Sequence, residues 1–224
     1  MITQAQRALG QADIDARLDQ GLRGILAAAV ASGVCDMAGV TERVGDELST
    51  VGATDDLVNR LDALQYDLRQ GPCVQASYQD GALTSHDVSG DERWPIWGPA
   101  AARAGVGAVL SVHLYTERDS MGALNLYVTG SRTFGHDDLE TAKFIASTVS
   151  VTLAGHRQSE HLWAAIDARH RVGAAQGILV GKYDISMDQA FEVLRRLSSH
   201  HELKLSAIAT RIVAHRGIPP EFRD

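Results

Sequence analysis

The sequence predicts an α+β domain with an antiparallel sheet flanked by helices, followed by an all-α three-helix bundle. Two observations carry this reading. Strand-like and helical stretches are mixed up to about residue 130, whereas residues 169–216 hold helical patterns alone. Charge also divides: with a cut at residue 154, the first part carries 11 Lys+Arg and 20 Asp+Glu and the second 10 and 8, formal charges of −9 and +2. At 224 residues the chain exceeds the roughly 100–150 usual for one domain.

From Asp13 to Ser32, Ile14, Leu18, Leu22, Ile25, Leu26 and Ala29 recur at helical spacing and Gly33 follows as a stop. Met37–Val44 and Leu48–Ala53, separated by Gly45 and Asp46, read as a hairpin. Asp55 and Asp56 open a helix through Leu68 that Gly71 and Pro72 end. Two further strands fall between Gly105 and Tyr115 and between Met121 and Thr129. A helix then begins near Asp137, and nothing breaks it before Gly177, which predicts a helical connector over about 137–180. Along it a dimer seam is expected.

Ser186 with Gln189 forms a capping-box pattern, and Met187, Ala190, Phe191, Leu194 and Leu197 fall on one face behind it. After a polar break at Ser199–Glu202, Leu205, Ile208, Ala209, Ile212 and Val213 repeat the helical pattern until Gly217 and Pro219. Gly173, Ala174, Ala175 and Gly177 suggest close helix approach in the first bundle helix. The expected domains are 1–155 and 156–224.

No apolar run reaches the roughly 18 residues of a membrane span, and the N-terminus lacks a signal-peptide layout, so a cytoplasmic protein is expected. Cys35 and Cys73 are the two cysteines, which argues against a disulfide scaffold or a structural zinc site. No nucleophile elbow, His-x-x-x-His helix or phosphate loop is present, so no enzyme activity, catalytic residue or metal ligand is assigned, and the cofactor stays unknown. Cys73, behind Gly71 and Pro72 at a helix start, has two readings: a thiolate sensor, or a small buried apolar side chain.

Arg169, Val172, Gly173, Ala175, Gly177, Ile178 and Leu179, then Ala190, Phe191, Leu194, Arg195, Arg196 and Ser198, then Lys204, Leu205, Ile208 and Ala209 resemble the three helices of the ANTAR domain. That domain is an RNA-binding module of antitermination regulators. Gln176 stands where the family usually has lysine, and Glu202 where it often has asparagine. The resemblance implies RNA hairpins as partner, with Arg169, Lys182, Arg195, Arg196, Lys204, Arg211 and His215 as candidate contacts. Taken without it, these residues read as a solvated charged face.

The stretches LDALQYDLRQGPCVQA and DERWPIWGPAAARAGVGAVLSVHLY, with others covering most of residues 15–155, resemble a GAF domain. This implies a sensory or dimerising role and leaves room for an unidentified small-molecule ligand. Candidate sensing residues are Cys73, Tyr66, Trp94, Trp97, His113, Asn125 and Tyr127, each with a plainer reading as core or sheet surface. The combined expectation is a homodimeric antitermination regulator. The alternatives are a helix-turn-helix DNA-binding regulator and a thiol-dependent sulfoxide reductase of the GAF type.

Overall fold

A computed structural model describes residues 4–117 and 119–222, with residues 4–9 by their backbone alone. The outermost residues of both expected domains, 1–3 and 223–224, lie outside it. The elements are α1 Gln4–Ala31, β1 Met37–Val44, β2 Glu47–Ala53, α2 Asp56–Leu68, α3 Pro72–Ala76, β3 Ala82–Ser85, α4 Trp97–Arg103, β4 Val106–Tyr115, β5 Ser120–Thr129, α5 His136–Tyr183, α6 Met187–His200 and α7 Leu205–His215. They form two compact units, one of residues 13–157 and one of 158–222 with the residues up to Ala12.

In the first unit the strands pair antiparallel in the order β2-β1-β5-β4-β3. Period-two alternation sends Leu110, Val112 and Leu114 of β4 into an apolar layer with Leu22, Leu26, Val149 and Leu153 of α1 and α5. Val109 and Tyr127 point the other way, into a layer with Val58, Leu61, Trp94 and Trp97. The sheet is therefore covered on both faces. Asp55 caps α2, its side chain accepting from the Leu57 N–H.

Two elements are absent from the sequence expectation. β3 has only four residues, too few for a readable alternation, and α4 holds Pro99 and a run of alanines with little amphipathic contrast. α1 starts at Gln4 instead of Asp13, because its first turns lack the apolar spacing that marks the rest.

In the second unit, Ser186 and Gln189 make both bonds of the capping box. The core gathers Ala175 and Leu179 of α5, Ala190 and Leu194 of α6, Ile208, Ala209 and Ile212 of α7, and Phe222. The expected close approach at glycines does not occur: a Cβ at Gly173, Gly177 or Gly181 would meet nothing within 4 Å. Ala175 and Leu179 turn inward, which places the glycines on the solvent side of α5. Likewise Phe191 and Met187 are not core residues but lie 42% and 51% exposed.

Candidate nucleic-acid interface and sensor core

The seven candidate RNA contacts all lie on the bundle surface. Lys204 is the N-cap residue of α7, and Arg211 and His215 follow at seven and four residues, so helical spacing sets them on one side of that helix. Lys182, one residue from the end of α5, donates from Nζ to the Arg216 carbonyl at 3.0 Å. It thereby satisfies an open carbonyl where α7 ends in the left-handed Arg216 (φ 50°) and Gly217 (φ 153°). The chain then folds back: the Ile218 N–H donates to the Tyr183 hydroxyl, and the Arg211 guanidinium sits 5.3 Å from the centre of the Phe222 ring.

Arg195 and Arg196 on α6 are differently placed. Both reach Glu192, at 2.7 and 3.4 Å, and the Arg195 guanidinium holds the Glu192 carboxyl down at about 2. Arg169 is exposed on α5 beside Ile166, His170 and Gly173 at a hollow of about 440 Å³. The structure thus gathers Lys182 with the end of α7, while the α6 pair is held by its own carboxylate.

Among the described bundle residues, Arg171 and Arg216 were not singled out from the sequence. Arg171 donates to Thr210 on α7 at 3.2 Å, and Arg216 sits in the α7 cap. At the two departures from the ANTAR pattern, the Gln176 amide donates to the Met187 carbonyl at 3.1 Å, joining α5 to the start of α6. Glu202 adopts φ 53°, a left-handed conformation that asparagine tolerates better.

In the first unit, Tyr66, Cys73, Asn125 and Tyr127 meet in one buried polar cluster between α2, α3 and the sheet. Asn125 Nδ2 donates to Thr41 Oγ1 at 2.9 Å, and Thr41 Oγ1 lies 3.0 Å from the Tyr66 hydroxyl. Tyr127 donates to the Asp62 carboxylate, and Gln65 Nε2 donates to the Tyr127 hydroxyl at 3.1 Å. The Cys73 N–H donates to Gln65 Oε1 at 2.9 Å. Asp62 and Gln65 on α2 and Thr41 on β1, all fully buried, are members that sequence reading missed. Within an amphipathic helix, a buried polar residue leaves no signal in the apolar periodicity.

Trp94 and Trp97 are buried apolar residues, edge to face at 5.9 Å, with Trp97 Nε1 donating to the Leu61 carbonyl at 3.1 Å. His113 is separate from the cluster: its Nε2 lies 2.7 Å from Ser120 Oγ and its Nδ1 3.0 Å from the Asp80 carboxylate. Of the two readings of Cys73, its burial favours the small buried side chain. The side chain is fully buried, and burial pushes its thiol well above the ordinary value. Cys35 is also buried, its thiol pushed up to about 12.

A covered antiparallel sheet holding a polar core, continued by α5 into a bundle with exposed cations, is the layout of a two-domain signalling regulator. The GAF domain family matches residues 15–154, more than half of the chain, and the ANTAR domain family matches residues 160–213. The chain belongs to the GAF family and carries an ANTAR domain behind its GAF domain. No curated protein matches it.

Among solved structures it is similar to a domain assigned to a two-component sensor histidine kinase from Sinorhizobium meliloti. That match has 17% identity and a TM-score of 0.52, covering 61% of this chain and 90% of that one. A GAF domain from Synechocystis in its photoproduct state matches at 15% identity and a TM-score of 0.52, covering 63% and 96%. The GAF domain of a cyanobacteriochrome matches at 15% and 0.50, covering 64% and 94%. At these identities the likeness is one of fold.

Proposed function

We propose that the chain is a cytoplasmic transcription antitermination regulator whose bundle binds hairpins in nascent RNA under control of the GAF domain. The observation that carries this reading is the row of exposed Lys204, Arg211 and His215 on α7, with Lys182 at its end; the cations Lys182, Lys204 and Arg211 lie inside the segment that matches the ANTAR family. Such cations anchor phosphates, while loop bases are read by stacking and hydrogen bonds. Phe191 and Tyr183, both partly exposed, supply aromatic faces.

The test is a mobility-shift titration of the full chain against an RNA hairpin and a duplex DNA of matched length. Retardation of the hairpin at lower protein concentration supports the reading. Preference for the duplex supports the helix-turn-helix regulator instead. The reductase reading finds no support at the thiols, since Cys73 is fully buried and Cys35 is buried as well.

The partner expected along the connector is a second copy of the chain. α5 carries Phe144, Val151, Leu162 and Ile166 exposed along its length, and association would remove this apolar surface from water. A small-molecule ligand of the GAF domain has a candidate cleft of about 470 Å³ lined by Tyr66, Arg69, Val74 and Tyr78. No helix among the described residues is long and apolar enough to cross a membrane.

A further inference from the structure

The direction of each hydrogen bond in the buried cluster can be assigned by accounting for its hydrogens. Thr50 Oγ1 donates to Asp62 Oδ2 at 3.1 Å, so its one hydrogen is used there. The Tyr66 hydroxyl, 2.9 Å from Thr50 Oγ1, must then donate to Thr50. With that hydrogen committed, the 3.0 Å bond between Thr41 and Tyr66 has Thr41 as donor. Asn125 donates to Thr41, and Ser111 Oγ donates to Asn125 Oδ1 at 2.9 Å. The chain runs one way, from β4 through β5 and β1 to α2 by way of β2.

Its end is a carboxylate that the neighbouring groups meet with donors alone. Tyr127 donates to Oδ1, and Gln65 Nε2 reaches the same oxygen at 3.3 Å. The titratable groups facing Asp62 are Tyr66 on its own helix, Tyr127 on β5 and Cys73 on α3. Burial raises the Asp62 carboxyl, and donors on β5 and β2 oppose it; no cation is among the causes. Asp62 is fully buried, yet Tyr66, two hydrogen bonds away, lines the open cleft of about 470 Å³.

We propose that Asp62 is a reversible proton-binding site of the GAF domain, loaded from the cleft through Tyr66 and Thr50. A hydronium in the cleft gives its proton to the Tyr66 oxygen, the Tyr66 proton passes to Thr50 Oγ1, and the Thr50 proton passes to Asp62 Oδ2. One O–H bond breaks and one forms at each hop, and the net change is one proton moved from solvent to the carboxylate. Afterwards Asp62 donates to Thr50 and Thr50 donates to Tyr66. Tyr66 turns its own hydrogen outward, so the cleft that offered an acceptor now offers a donor.

This device is independent of RNA binding, and its test uses none. In the full chain labelled with ¹³C at the Asp carboxyl and the Tyr Cζ carbons, the Asp62 and Tyr66 resonances are identified by their loss in Asp62→Asn and Tyr66→Phe. Asp62 is expected to titrate with a midpoint of about 6, and the Tyr66 resonance to move with the same midpoint. In Asp62→Asn the Tyr66 movement is lost. In Thr50→Val, which removes the relay and one donor, the Asp62 midpoint moves up and Tyr66 no longer follows it. An Asp62 resonance without inflection between about pH 4 and 8, or a Tyr66 movement that persists in Asp62→Asn, overturns the proposal. Amide spectra of each variant that retain the sheet resonances exclude unfolding as the cause.

Discussion

Glu192 sets how much charge α6 can offer to a polyanion. Arg195 and Arg196 both lie against its carboxylate, so a phosphate must compete with an internal partner. Replacing Glu192 with glutamine is expected to strengthen hairpin binding by roughly two- to fivefold, the scale of an exposed ion pair, in a mobility-shift titration. Arg211→Ala should weaken binding and lower the salt slope by about one unit if Arg211 meets a phosphate.

At Asp62 the folded-state proton affinity is raised to about 6 from 3.8. The resulting stability is present in full below the lower value and is lost as pH rises through the upper one. Denaturant titrations should therefore show the parent chain losing up to ~3 kcal/mol relative to Asp62→Asn between those limits. Residues of this kind were the least legible from sequence. Cys73, Asp62 and Phe191 each sit where side-chain burial, and not spacing, decides the role: one small polar group goes inside, one charge goes inside, and one aromatic goes out.

The elements, by contrast, were largely written in spacing and punctuation. The capping box at Ser186 and Gln189, the start of α3 at Gly71 and Pro72 and the αL end of α7 all obey local rules, whereas α2 stops earlier than those two residues suggest, at a left-handed Arg69. The four-residue β3 is too short to carry a pattern, and the inward face of α5 was obscured because alanine and glycine look alike to a hydrophobic period.

Ser186→Ala should remove about 1 kcal/mol of bundle stability, read as a lower thermal midpoint of the helical signal. Gly71 shows how a turn can rest on one atom. At φ 136° a Cβ there would fall 2.1 Å from Gln65 Oε1, the acceptor that holds the Cys73 N–H. Gly71→Ala is therefore expected to destabilise the GAF domain by on the order of 1–3 kcal/mol in urea unfolding, with the loss concentrated at α3.

For the molecule as a whole, the central expectation is self-association along α5. Val151→Asp combined with Leu162→Asp should convert a dimer into a monomer in sedimentation equilibrium while leaving the circular-dichroism spectrum unchanged. A parent chain that is already monomeric would remove that reading. Sheet order has a consequence in time as well as in space. β1 pairs with β5 in the register Met37↔Tyr127, so the central pair of strands joins residues 90 apart. The sheet cannot close during synthesis until β5 has been made. The bundle, whose α5 portion, α6 and α7 are consecutive, needs only short loop closures once its own residues are available. Refolding from denaturant should accordingly show helical signal returning before the fluorescence of buried Trp94 and Trp97, so that the sensor half sets the pace at which a complete regulator appears.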